Sequence, residues 1–305
     1  MTSKRARLIS AVSRVYFKTI RIRPFNVASM RRRMSAIGRL LAPAPGVQIH
    51  SGSMAGLHVE YLTPDAAGSD ELLLYLHGGA YVAGGSRTHR QLVSHIARTA
   101  NVRALVPDYR LAAEHPFPSA IDDAVRLYRQ LLRDGRSPAS IVIAGDSAGG
   151  GLAMAMLLTL RDAADELPAA VCLLSPWLDL AGTGESMRTH ADRDPWFRTQ
   201  DLPMAARYYC SEDLFTHPLA SPVYADLGRL PPFLMQVGGE EILLSDSIRA
   251  ADKIRQAGGS VDLEVWPGMW HVFQAFVNRV PESREAIRRI GDFIRRQLRS
   301  RGASI

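Results

Sequence analysis

Apolar residues recur along this chain in two rhythms. Short runs bounded by turn residues, at Leu72–Leu76, Val102–Val106, Ile141–Ala144, Val171–Leu174 and Phe233–Val237, read as strands covered on both faces. Between them lie longer stretches with helical periodicity, over residues 88–100, 119–133, 148–161 and 245–257, and an amphipathic, Arg-rich stretch over 282–299. Such alternation predicts a mostly parallel central sheet with helices on both faces. His58–Leu62 reads as an extra strand, antiparallel at the sheet edge, and Val261–Trp266 as a late one. The rhythm breaks over residues 178–230. That stretch holds Asp179, Gly182, Gly184, Asp192, Asp194 and Pro195, and then the aromatic residues Trp196, Phe197, Tyr208, Tyr209 and Phe215. An insertion of this length in an α/β chain predicts a lid or a binding element. With residues 1–45 it is expected to form a helical cap over the carboxyl edge of the sheet, where ligands bind in open α/β folds. The core then comprises residues 46–177 and 231–305, and the cap residues 1–45 and 178–230.

Composition narrows the classes. A chain of 305 residues, 47% hydrophobic and 22% charged, can build a substantial core and is not of disordered type. No apolar run approaches the length of a membrane-spanning helix. Cys172 and Cys210 are the only cysteines, too few for a disulfide-stapled scaffold or a cysteine zinc site. They read as reduced thiols of a cytoplasmic protein, with a single bridge as the alternative. The net charge of +7 changes meaning once it is located. Residues 1–39 carry eleven Lys or Arg, the first acidic residue is Glu60, and the rest of the chain is net acidic. A uniform nucleic-acid-binding surface is therefore not expected. The basic segment lacks the apolar stretch and small-residue cleavage site of a secretory signal. Leu8, Ile9, Val12, Val15, Tyr16 and Ile20 fall at helical spacing, with Arg14 and Lys18 among them. That pattern predicts an amphipathic helix docked on its own protein; weak contact with an anionic membrane surface, or an Arg-rich transit peptide, are the alternatives.

Chemistry enters at Gly145-Asp146-Ser147-Ala148-Gly149, which follows a predicted strand and opens a predicted helix. A nucleophilic serine needs such a sharp strand-to-helix turn, with small residues two positions to either side. The helix N-terminus adds N–H groups and positive potential near developing negative charge. Upstream, His77-Gly78-Gly79-Ala80-Tyr81 follows another predicted strand. Consecutive glycines there can offer unpaired backbone N–H groups to a substrate carbonyl. His77 itself reads as a side chain that orders the loop.

With these residues in view, the chain resembles the bacterial hormone-sensitive-lipase family of α/β-hydrolase carboxylesterases. The resemblance rests on His77-Gly78-Gly79, Asp108-Tyr109-Arg110-Leu111-Ala112, Glu114-His115-Pro116-Phe117-Pro118, Gly145-Asp146-Ser147-Ala148-Gly149-Gly150, Ser175-Pro176-Trp177 and Gly268-Met269-Trp270-His271, in that order from about residue 55 onwards. Ala80 stands where a third glycine is frequent, and Ala113 where a proline is usual; neither change removes a backbone donor. The resemblance implies hydrolysis of small, short-to-medium acyl carboxylic esters with no cofactor and no metal, under a cap. Lactone hydrolysis or deacetylation by the same residues, and a small-molecule-binding protein on the same fold, are the alternatives.

Triad partners in this fold follow in the order serine, acid, histidine. Only His190, His217 and His271 follow Ser147, and the first two lie in the irregular insertion. His271, after Val261–Trp266 and the turn Pro267-Gly268, is the expected base and matches the family's position. The acid is expected just after Phe233–Val237, within Gly238-Gly239-Glu240-Glu241-Ile242-Leu243. The family usually has Asp two residues before a leucine, a register that selects Glu241, with Glu240 as runner-up. Asp246 reads as first-turn electrostatics for a helix that Ser245 could cap. The expected oxyanion donors are the N–H groups of Gly78, Gly79 and Ala148. Asp108 and Arg110 read as ordering a loop or strand end, and Asp146 as bonding to neighbouring loops. Tyr81, Asp146, Trp177, Tyr208 and Trp270 are candidate substrate contacts. His77, His89 and His95 do not share a helix face as metal ligands would, and no phosphate-binding or dinucleotide glycine pattern appears. A homodimer is a further partner the sequence allows.

Overall fold

A computed structural model describes residues 2–20, 25–68 and 70–302. Residues 21–24 of the expected cap therefore lie outside the described residues. The helices are α1 (Lys4–Arg14), α2 (Val27–Leu40), α3 (Ser86–Ala100), α4 (Ser119–Arg133), α5 (Ala148–Asp162), α6 (Ser186–Thr189), α7 (Asp201–Tyr209), α8 (Leu244–Gln256) and α9 (Pro281–Gly302). The strands are β1 (Val47–Met54), β2 (Leu57–Pro64), β3 (Leu72–Leu76), β4 (Arg103–Pro107), β5 (Ile141–Asp146), β6 (Ala170–Leu174), β7 (Phe233–Gly238) and β8 (Val261–Trp266). They form one sheet in the order β1-β2-β4-β3-β5-β6-β7-β8. β2 runs antiparallel to both β1 and β4, and every pairing from β4 to β8 is parallel.

Side chains alternate across this sheet, so each central strand feeds two cores. Leu72, Leu74 and Leu76 of β3 point to the side covered by α4, α5 and α8, with Ile121, Leu152 and Ile254. Leu73 and Tyr75 point to the side covered by α3 and α9, with Ile96, Ile290 and Ile294. Two covered faces explain the unbroken apolar runs. α5 is apolar nearly all round because it lies beneath the cap region as well as on the sheet.

The strand at His58–Leu62 is β2, and it is not the edge. β1 occupies the edge instead, in register from Met54↔Leu57 to Val47↔Pro64. No residue of β1 is fully buried, so its sequence carries no strong alternating signal. Ala55 and Gly56, at φ 51° and 77°, make the tight connection.

The basic N-terminal segment packs on the protein. Ser3 caps α1 by accepting from Ala6 N at 3.2 Å, and its own N and Oγ donate to Glu282 at the start of α9. Thr2 Oγ1 donates to Pro267 O at 3.2 Å. Arg14 donates to the carbonyls of Asp192 and Arg193, and Lys18 Nζ to Ala191 O at 2.6 Å. Phe17 stacks on Trp196, with ring centroids 5.3 Å apart. On α2, Arg31 donates from Nε to Val82 O at 2.7 Å and from Nη2 to Ala112 O at 3.3 Å, and grips Glu114 with Nη1 and Nη2, each at 2.6 Å. These bonds tie Thr2 and Ser3 to the loop after β8 and to α9, Arg14, Phe17 and Lys18 to the insertion, and α2 to the loops after β3 and β4. Cys172 and Cys210 are both free, which removes the bridge alternative. No helix among the described residues is long and apolar enough to cross a membrane.

Candidate active site

The turn from β5 to α5 holds Ser147 at φ 53° and ψ −124°, a conformation an L-residue adopts only under constraint. A Cβ on Gly145 would lie 2.4 Å from Gly149 O, and one on Gly149 2.1 Å from Leu76 O, so both flanking positions require glycine. Ser147 N donates to Leu174 O at 2.9 Å, and Ser147 O accepts from Trp177 N at 2.9 Å. Its hydroxyl has no hydrogen bond among the described residues, and the residue is 8% exposed.

Two strands over, the loop after β7 presents Glu241, fully buried. One carboxylate oxygen accepts from Ser175 Oγ at 2.6 Å and from Gly238 N at 2.5 Å. The other lies 2.9 Å from His271 Nδ1, on the loop after β8. A carboxylate there accepts the Nδ1 proton, which leaves the lone pair on Nε2. Ser175 Oγ also accepts from Val272 N at 3.0 Å, so one hydroxyl joins the acid loop to the histidine loop. Glu240 is turned away and paired with Arg193 at 2.8–2.9 Å. The geometry brings Glu241 to His271, and Ser147 to the same sheet edge.

The loop after β3 differs from expectation at one residue. Gly78 N donates to Asp146 Oδ1 at 3.0 Å, so this N–H is already engaged. A Cβ on Gly78 would meet Asp146 Oδ2 at 2.2 Å, which is why glycine is needed there. Beyond it Gly79, Ala80 and Tyr81 take successive φ values of 127°, 54° and 62°. Val82 N and Ala83 N both close on Gly79 O. Among the described residues the N–H groups of Gly79, Ala80 and Ala148 have no acceptor. Of the expected donors, Gly78 thus has its N–H engaged, while Gly79 and Ala148 keep theirs open.

Asp146 is buried and braces this loop. Its Oδ1 also accepts from Tyr75 OH at 2.8 Å and lies 3.4 Å from His89 Nε2. Burial works against charge on both partners, but their mutual attraction prevails. His89 is held above the usual imidazole range, and Asp146 below the usual carboxylate range by His89, Tyr75 and Gly78 N–H. His77 is pushed down to about 4 by burial, with His89 beside it, so it is neutral; it stacks on Tyr109 with centroids 4.1 Å apart. It orders the loop, as its position suggested. Asp108 accepts from Ser86 N at 2.5 Å and Arg110 pairs with Asp123, which ties the loop after β4 to the start of α3 and to α4.

Most candidate substrate contacts are packing residues. Trp270 is fully buried among Ala6, Met269, Phe273, Val280 and Ala286. Trp177 is buried, with Nε1 donating to Asp179 O at 3.1 Å. Tyr81 is buried beneath Tyr209, the rings stacked at 3.7 Å. Only Tyr208 is exposed, and its ring lies 5.9 Å from that of Phe25. The side chain that does meet the imidazole is Phe197, edge to face on His271 at 4.8 Å. Asp194 places it by accepting from Trp196 N, Phe197 N and Ile242 N. From sequence, Phe197 was named only among the aromatics of the insertion and Ser175 only within a motif, neither with a place at the site; the Asp194-Pro195 turn and the serine before Pro176 were the available signals. Asp246 stands in the first turn of α8, as expected. It is buried, accepts from Leu178 N and Asp179 N, and is pushed well above the carboxylate range by burial and by Asp179. Leu243, not Ser245, takes the N-cap position of α8.

Comparison with known proteins bears on the family and the fold. A family profile for the alpha/beta hydrolase fold matches residues 73–275. An acetyl-hydrolase of Streptomyces hygroscopicus is 43% identical over 265 residues, covering 87% of each chain. An esterase of Acinetobacter venetianus is 37% identical over 87% of this chain and 88% of its own. A crystal structure of an esterase from the bacterial hormone-sensitive lipase family superposes with a TM-score of 0.92 at 41% identity, over 98% of this chain and 99% of that one.

Proposed function

This chain belongs to the α/β-hydrolase family, in its bacterial hormone-sensitive-lipase branch, and is a carboxylic ester hydrolase; from that premise we propose that Ser147, His271 and Glu241 form its catalytic triad. The observation that carries the reading is the 2.9 Å bond between Glu241 and His271 Nδ1, on the sheet edge that also holds a strained, uncommitted Ser147.

In this mechanism Ser147 Oγ attacks the acyl carbon while His271 Nε2 takes its proton. Glu241 holds the imidazole in the required tautomer and stabilises the imidazolium. The carbonyl oxygen becomes an oxyanion facing the N–H groups of Gly79, Ala80 and Ala148, each such donor being worth roughly 10²–10³ in turnover. The bond to the alcohol oxygen then breaks, with the proton passing from His271 to the leaving group. Water, deprotonated by His271, attacks the acyl-enzyme; the serine leaves with the proton and the acid is released. Phe197 against His271 limits the space beside the reacting centre, which supports short-to-medium acyl groups as substrates. Residues 1–45 and 178–230 act as the cap. Two free buried thiols fit a cytoplasmic setting. Neither lactone hydrolysis nor a pure binding role is favoured by any feature of the site.

A fluorophosphonate probe followed by peptide mass spectrometry tests the assignment. One adduct, on Ser147, is expected, and its formation should be slowed in His271→Gln. Stoichiometric labelling at another serine would overturn it.

A further inference from the structure

α1 has two apolar faces, and only one is used. Its inner face buries Ala6 completely and sets Ile9 against the cluster around Trp270. Beyond it, Phe17 stacks on Trp196. Its outer face carries Leu8, Val12, Val15 and Tyr16, which are 65%, 61%, 54% and 45% exposed. These positions follow one another at helical spacing and make one stripe along α1 and the π-helical turn Val15–Ile20 that continues it. Lys4, Arg5 and Arg7 are exposed beside the stripe. α2 repeats the pattern, with Ile37 and Leu40 at 53% and 84% exposure beside exposed Arg32 and Arg39. No acidic residue occurs before Glu60 to balance these charges.

We infer that the outer face of α1 docks on an anionic lipid surface. An apolar stripe bordered by cations is the form a helix takes when it lies in a membrane interface, with the stripe in the acyl boundary and the cations among phosphates. A second copy of the chain is a poorer occupant. A twofold contact through this stripe would bring Lys4, Arg5 and Arg7 against their own copies, like charge on like charge. The inner face gives docking a consequence. Phe17 packs on Trp196, and its neighbour Phe197 packs on His271, so the docked helix is two side chains from the catalytic imidazole. Docking would hold the mouth of the site at the bilayer and favour esters that partition into it. This second step rests on the esterase reading; the docking does not.

The test uses the full chain, sedimented with vesicles of phosphatidylcholine alone or of phosphatidylcholine with phosphatidylglycerol, at low and high salt. The wild type should sediment with the anionic vesicles only, and salt should release it. Leu8→Ser/Val12→Ser should weaken that binding by about tenfold or more, with hydrolysis of soluble 4-nitrophenyl acetate unchanged. Wild type that remains in the supernatant, binds both vesicle types equally, or binds as well with both serines present would overturn the docking. So would a dimer in sedimentation velocity that the double variant disperses, which would identify a second copy as the occupant. A wild type that binds vesicles but hydrolyses no soluble ester would defeat the esterase reading and leave the docking standing.

Discussion

Glu241 can serve where a shorter aspartate is usual because both of its oxygens are held. Ser175 and Gly238 fix one, and His271 takes the other. Glu241→Gln keeps the shape but can favour the wrong imidazole tautomer, and turnover should fall by up to about 10⁴. Glu240→Gln only breaks a surface pair with Arg193, so activity should stay near wild type and stability should change by less than about 1 kcal/mol. Steady-state kinetics on a short-chain ester separates the two. Ser147 offers a different contrast. Ser147→Ala should reduce hydrolysis to the remnant left by the oxyanion donors, about 10³–10⁴ over water. Ser147→Gly should be equally inactive yet more stable by about 1 kcal/mol, because glycine relieves the strain at φ 53°; urea unfolding reads this directly. The His89–Asp146 pair gives a pH signature. Asp146 is depressed, so its contribution is present above the ordinary 3.8 and is lost as pH falls through its lowered pKa. His89 is raised, so its contribution is complete below 6.5 and is lost as pH rises through its higher folded value. The stability advantage of wild type over His89→Gln should therefore be larger at pH 5.5 than at pH 9, measured by denaturant unfolding.

At the scale of elements, the insertion meets the catalytic loops through Asp194. Its carboxylate holds Trp196 and Phe197 with one oxygen and Ile242, next to Glu241, with the other. Asp194→Ala leaves these N–H groups without their acceptor, at about 1–3 kcal/mol for each that stays buried. It should also loosen Phe197 from His271, so KM for short esters should rise; Asp194→Asn, which keeps an acceptor, should recover much of the loss. The central strands were legible because both of their faces are covered. β1 was not, since only Val47, Ile49 and Met54 reach the core, none of them fully buried, and the polar residues between them resemble a loop. The strand-to-helix turn at Ser147 and the place of His271 after β8 were legible because each follows from the order of strands and turns along the chain. The donor set was not, because the engagement of Gly78 depends on Asp146, a contact 68 residues away in sequence. Trp177 and Trp270 stood in motifs that suggested pocket walls. Whether such a ring lines a pocket or fills a core is decided by what packs on it, and α1 and the insertion do that packing.

For the whole molecule, the cap reading makes residues 1–45 part of the enzyme. Removing residues 1–40 deletes Phe17 from Trp196, Arg31 from Val82 O and Ala112 O, and Ala6 from the cluster around Trp270. Loss of short-chain activity or a changed chain-length preference is expected, with newly exposed apolar surface that binds a hydrophobic dye. Unchanged kinetics across an ester series would show the segment to be a detachable tail. The same region bears on how the protein can be handled. Thr2 is bonded to Pro267 O, at the start of the turn that leads to His271, and Ser3 is bonded to Glu282. α9 begins there and runs for 22 residues, about 33 Å at the helical rise, away from that point. An affinity tag or an immobilisation linker fused ahead of Thr2 would crowd the histidine loop and compete with Ser3 for the end of α9. The same fusion placed after α9 would stand a helix-length from the chemistry, so the two orientations of one surface-bound enzyme should differ in specific activity.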